Sequence, residues 1–158
     1  MGKLELYQRR SEKTKQEKTL IKLVETNGRE INPEDFLPVV YSVWLGNGAE
    51  EEVLYVGKSR LFSTREASHI VAVLDNPAYF GLTEEDLTNE NLILKFKIEE
   101  KVDVLRLKTI YELDQRLSEK EKEFVDKLKP ITMKGMMMKD QEEKRRSVKA
   151  LIQKLSKE

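Results

Sequence analysis

Cysteine is absent from this chain of 158 residues. Disulfide staples and thiolate metal sites are thereby excluded. Long apolar runs are missing too: none approaches the length that spans a bilayer, and the N-terminus lacks the apolar centre of a signal peptide. These absences point to a soluble, cytoplasmic protein. Net charge is also missing, with 29 basic and 29 acidic residues, but the zero hides an asymmetry. Residues 1–30 carry 8 basic and 5 acidic residues, residues 31–100 carry 5 and 13, and residues 101–158 carry 16 and 11. A phosphate-binding protein has to gather those basic ends on one face. Lys/Glu-rich helices that are simply solvated have the same composition.

What is there reads as one domain with helical attachments, large enough to bury a core of its own. Leu4 to Val24 reads as a polar helix whose apolar residues gather in its last turns. After an Asn-Gly turn and an Asn-Pro break, "LPVVYSVWL" predicts a strand over Val39 to Leu45. "EVLYVG" predicts a second strand over Glu52 to Gly57, and the short Gly-rich loop between them makes a hairpin. Ser63 or Thr64 is a candidate cap for a helix running to about Leu74, with Ala67, Ile70, Val71 and Leu74 as its buried face. That phase sets Arg65 and His69 side by side on the opposite face. "LILKFKIE" (Leu92 to Glu99) alternates and predicts a third strand. A long helix is expected over Glu112 to Leu128, ending before Pro130. Val148, Leu151, Ile152 and Leu155 mark a last amphipathic helix. The expected fold is an α/β (α+β) domain with a small three-stranded, mostly antiparallel sheet flanked by helices and extra helices at both ends. The segments are an N-terminal helical extension (1–38), a core (39–133) and a basic amphipathic helix (134–158).

Five positions invite chemistry. Arg65 can hold a phosphate through its planar fork, and His69, the only histidine, can donate, accept or move a proton near neutral pH. Tyr41 and Tyr55 sit on adjacent strands; as good strand formers they need no further role. Glu121 falls on the apolar stripe of Leu117, Phe124, Val125 and Leu128. A carboxylate there is costly unless it is paired, bound to a metal, or able to reach solvent from the helix edge. "GKS" ends like a Walker A loop, but Glu52 stands where its first glycine belongs, which excludes a nucleotide-binding P-loop.

In order and spacing these residues resemble the GIY-YIG nuclease family. Its two naming motifs correspond to "VVY" (Val39 to Tyr41) and "YVG" (Tyr55 to Gly57). The family's arginine, eight residues after the second motif's glycine, matches Arg65, and the histidine four further on in restriction-type members matches His69. The metal-binding glutamate nine residues before a proline matches Glu121 before Pro130. Two positions depart: Val39 replaces the first motif's glycine, and Met133 stands where an asparagine is usual.

The resemblance implies a metal-dependent endonuclease that hydrolyses phosphodiester bonds of DNA, of the compact restriction type acting on duplex. It implies Tyr41 as general base, assisted electrostatically by Lys58, and Tyr55 to orient the water or the scissile phosphate. Arg65 would stabilise charge on the phosphate, His69 would support proton movement or hold the phosphate or Tyr41, and Glu121 would bind one Mg²⁺ or Mn²⁺. Lys58 and Arg65 would touch DNA, joined by Arg145, Arg146 and Lys149 of the last helix. Cutting both strands would call for a homodimer or for sequential nicking. The alternative is a catalytically inactive, GIY-YIG-like module that binds nucleic acid, the missing asparagine being its motive.

Overall fold

A computed structural model describes residues 36–132 and 141–156. The helix expected over residues 4–24, Met133 and the Met-rich stretch after it lie outside them. Strand β1 spans Val39–Gly46 and β2 spans Glu51–Ser59. Helix α1 covers Phe62–Asp75, and 3₁₀ turns follow at Pro77–Phe80 and Asp86–Thr88. Strand β3 spans Ile93–Lys101, helix α2 Ile110–Leu128 and helix α3 Gln141–Ser156. The three strands form one antiparallel sheet in the order β2-β1-β3. The fold class expected from the sequence is the one observed.

Local chemistry accounts for the turns. In the hairpin loop the Asn47 side chain accepts from the backbone N–H groups of Ala49 (2.9 Å) and Glu50 (2.8 Å), and Gly48 takes a φ of +93° that favours glycine. At the start of α2, Thr109 accepts from the N–H of Glu112, whose carboxylate in turn accepts from the N–H of Lys108. That helix ends with Lys129 in the left-handed region before Pro130. α1 needs no side-chain cap: Leu61 is its N-cap, and the Ser59 hydroxyl organises the turn by accepting from Leu61 N–H at 3.0 Å. The capping role expected of Ser63 or Thr64 is not used.

Two cores flank the sheet. Val39, Tyr41, Val43 and Leu45 of β1 pack with α1, the first 3₁₀ turn and α3. Val40, Val53 and Val56 pack with Leu113 and Leu117 of α2 on the other face. β1 is central and buried on both sides, which is why its sequence runs apolar rather than alternating. Between Val43 and Trp44 the pairing with β2 slips, leaving Leu54 as the extra residue of a β-bulge. Val53 therefore faces α2, while Leu54 and Tyr55 both join the α1 side. Val148, Leu151 and Leu155 place α3 in the same core as β1. Its seat is Gly81, whose φ is +76° and where a Cβ would stand 2.7 Å from Val148 Cγ2.

The phase of α1 differs from the one read in the sequence. Its buried residues are Phe62, Glu66, His69, Ile70 and Val73, while Val71 is 45 % exposed and Ala67 only half-buried. The side chain of Leu74 lies outside those described. Arg65 stays on the surface, but His69 turns inward. The reason is the aromatic packing on this side: Tyr41 and Phe62 meet at 5.6 Å between ring centroids, and the His69 ring inserts between Tyr41, Tyr55, Phe80 and Phe96. Periodicity counted His69 as polar, whereas its ring packs as an aromatic.

Candidate active site

The site begins where β1 and β2 pair. Tyr41 stands directly opposite Gly57. A Cβ on Gly57 would come within 2.6 Å of Tyr41 Cζ and 2.7 Å of Tyr55 Cε1. The bare backbone of Gly57 is thus what lets the Tyr41 ring lie across β2. The Tyr41 hydroxyl, in a side chain 1 % exposed, shares a hydrogen bond with His69 Nε2. The other ring nitrogen, Nδ1, lies 2.9 Å from the hydroxyl of Tyr79 in the first 3₁₀ turn. Tyr55 completes the group, its ring centroid 6.2 Å from that of Tyr41 and 5.4 Å from that of His69.

Burial sets the protonation of this cluster. It pushes the Tyr41 phenol well above its ordinary value, with Tyr55 adding to the shift and the Arg65 cation opposing it. It also raises Tyr55, helped by Tyr79 and the Glu121 carboxylate and opposed by Arg65. His69 is pulled down to about 4, by burial first and by the Arg65 cation second. At neutral pH the cluster is three phenols and a neutral imidazole, with one cation beside them.

A pH dependence follows. The folded state holds His69 at about 4, against an unfolded value of about 6.5. Between those values the unfolded chain binds the extra proton, so stability falls as pH drops through that window. Wild type is expected to lose more stability than His69→Gln between pH 6.5 and pH 4, read by chemical denaturation. Equal losses would show that His69 carries no such linkage.

Arg65 and Glu121 come from opposite layers. α1 packs on one face of the sheet and α2 on the other, and β2 is an edge strand, so the helices approach each other around its outer side. An open groove of about 590 Å³ lies there, between Thr64, Arg65 and Ser68 of α1 and Asp114 and Leu117 of α2, with Lys58 beneath. Tyr41, Tyr55, His69 and Glu121 do not line it. They adjoin it electrostatically: Arg65 acts on all three ring groups, and Glu121 on Tyr55.

Lys58 is placed differently from its expected role. Strand alternation sends it to the α2 side, away from the face on which Gly57 meets Tyr41. There it donates to Ser118 Oγ at 2.6 Å; burial holds the Glu121 carboxyl above its ordinary value, and the Lys58 cation opposes that shift. The cation whose charge acts on Tyr41 is Arg65, while that of Lys58 acts on Glu121.

Glu121 is half-buried, and among the described residues no group of three or more His, Cys, Asp or Glu forms a metal cage. A lone carboxylate beside the groove rather than in it would supply one ligand; Mg²⁺ keeps several waters and would take the rest from substrate phosphate.

Arg145, Arg146 and Lys149 are exposed on α3, off the Val148, Leu151 and Leu155 stripe, and do not line the groove. Other partners have no signature in the sequence. Arg60 forms a bidentate pair with Asp114, at 2.9 and 2.5 Å, tying the end of β2 to α2. Thr132 donates at 2.5 Å to the carbonyl of the bulged residue Leu54, which fixes the segment after Pro130 to β2. Tyr79 sits in what reads as a polar loop. Its only herald is Asn76-Pro77, where the Asn76 side chain accepts from Ala78 N–H and starts the turn. Comparison of the chain with protein-family models, curated proteins and solved structures found no match.

Proposed function

We propose that the protein is a divalent-metal-dependent endonuclease of the GIY-YIG type, hydrolysing phosphodiester bonds of duplex DNA in the manner of a restriction enzyme. The observation that carries this reading is the Tyr41 hydroxyl set on His69 Nε2, next to the Arg65 cation. Phosphodiester hydrolysis needs a base for the water, a cation for the phosphate and help for the leaving oxygen. Tyr41 takes the proton of the attacking water while its own passes to His69, so no free phenolate forms in a buried place. Tyr55 orients the water or the scissile phosphate. Arg65, the exposed cation nearest the ring groups, receives the phosphate charge. Glu121 would hold Mg²⁺ or Mn²⁺, with Lys58 opposing the rise that burial imposes on its carboxyl. When bound, the metal polarises the phosphate and steadies the leaving group. Cleavage of both strands requires a second copy or a second nick.

The test is scission of supercoiled duplex DNA with Mg²⁺ or Mn²⁺ and its arrest by a chelator. A second reading is a binding module without turnover, favoured by the groove cations Lys58, Arg60 and Arg65, which would hold phosphate with no metal. Tight binding without scission in either metal would select it. Both readings assign DNA phosphates to α3. Replacing Arg145, Arg146 and Lys149 by Gln is expected to make the salt dependence of DNA binding in chelator shallower, by about 0.9 for each phosphate no longer neutralised. An unchanged slope would confine the DNA surface to the groove.

A further inference from the structure

Resting on the nuclease reading, we infer that Tyr79 is a positioning residue that accepts the Nδ1 proton of His69 and so holds the imidazole in the tautomer whose free Nε2 faces Tyr41. The geometry is a chain of three groups, Tyr41 Oη to His69 Nε2 and His69 Nδ1 to Tyr79 Oη, the second link being 2.9 Å. A neutral imidazole has one N–H and one lone pair, so the two tyrosines cannot stand in the same relation to it. Tyr41 is 1 % exposed and has two protein partners for its hydroxyl, His69 Nε2 and the Tyr55 hydroxyl, whereas Tyr79 is 38 % exposed and can give its own proton to water. The arrangement that satisfies all three groups and also leaves a free lone pair behind the Tyr41 phenol has Tyr41 donating to Nε2, Nδ1–H donating to Tyr79, and Tyr79 donating to solvent.

The opposite tautomer would aim Nε2–H at the Tyr41 oxygen. That occupies the lone pair meant for the proton of the water and leaves no base behind the phenol. In the tautomer set by Tyr79 the proton transfers balance. The water O–H bond breaks as an O–H bond forms on Tyr41, the original Tyr41 O–H bond breaks as Nε2–H forms, and the imidazolium keeps Nδ1–H on Tyr79. Tyr79 touches neither the water nor the phosphate.

Its placement is secured from α3. Lys144 Nζ donates to the backbone carbonyl of Tyr79 at 3.2 Å, and Gly81 packs against Val148 and the Lys144 carbonyl. The Tyr79 ring also meets Phe80 edge-on at 4.8 Å. Removing the hydroxyl alone therefore leaves the packing in place.

His69 is the only histidine, so imidazole ¹⁵N resonances of the untagged full chain report on it without assignment. Wild type is expected to show a protonated Nδ1 and a bare Nε2, and Tyr79→Phe a shift of population toward the Nε2–H tautomer. In the scission assay Tyr79→Phe is expected to lower kcat about 10-fold or more with KM for DNA little changed, as loss of proton-transfer assistance does. Wild type in the Nε2–H tautomer, or a tautomer ratio indifferent to Tyr79→Phe, would overturn the inference. If no variant cuts DNA, the nuclease reading fails, while the ¹⁵N spectra still decide what Tyr79 does to His69. An altered tautomer with unaltered kcat would refute the catalytic half.

Discussion

Glu121→Gln is expected to lower Mg²⁺-dependent scission of duplex DNA by about 10²–10³-fold, the usual effect of removing one charge-stabilising group at a reacting centre. The substitution keeps the volume on the α2 face and removes only the charge. Glu121 lies one turn beyond the buried Leu117, and the carboxyl is half-buried, so the fold has no reason to change. Binding of DNA in chelator should be unchanged or tighter, because a negative charge leaves the neighbourhood of Lys58. Loss of rate with retained binding is therefore the signature sought. A variant that cuts at close to the wild-type rate at limiting Mg²⁺ would remove Glu121 from any metal role.

Gly57→Ala is expected to abolish most activity by an indirect route. The new Cβ would stand 2.6 Å from Tyr41 Cζ and 2.7 Å from Tyr55 Cε1, and neither ring can yield without moving the other or leaving His69. Misplacing a reacting group by about 1 Å costs on the order of 10²-fold. Tyr41→Phe, which removes the base outright, is expected to cost about 10²–10⁴-fold. The informative measurement is the pair together. If Gly57 acts by placing Tyr41, the double variant should be no slower than Tyr41→Phe alone. Additive losses would mean that Gly57 serves something other than that hydroxyl. Overpacking should also lower stability by about 1–3 kcal/mol, so each comparison belongs at a temperature where all variants are folded.

These two residues show what the sequence makes legible. Strand spacing and the "VVY" and "YVG" motifs are local, and they locate Tyr41, Tyr55 and Gly57 on a hairpin that the structure contains. The phase of a long regular helix is also local, and it singles out Glu121 among the carboxylates of "EKEKE". His69 was legible as a residue but not as a direction. A helix of 14 residues with a modest apolar stripe can rotate to bury an imidazole when five aromatic rings from other segments surround it. The face of Lys58 follows from simple alternation with Tyr55 and Gly57, and what the sequence does not carry is its partner there, Ser118. Tyr79, Asp114, Ser118 and Thr132 were invisible for a common reason: each meets its partner only after the chain has crossed the sheet or left it. Their bonds join residues 10, 54, 60 and 78 positions apart.

The seat of α3 bears on how the molecule comes into being. Val148, Leu151 and Leu155 complete the same core that holds β1, and Asn47 of the hairpin loop donates from its side chain to the Leu155 carbonyl at 3.0 Å. During synthesis the hairpin emerges before α3, so the face of β1 that carries Tyr41, covered in part by α1 and the first 3₁₀ turn, stays incompletely covered until residues 141–156 have left the ribosome. Such an open apolar face is a hazard for a nascent chain. The same order of events leaves the Tyr41, His69 and Tyr79 chain without part of its support until then, since Lys144 and Val148 help to hold the turn that carries Tyr79. The proposed site would thus reach its full support only once residues 141–156 have been made.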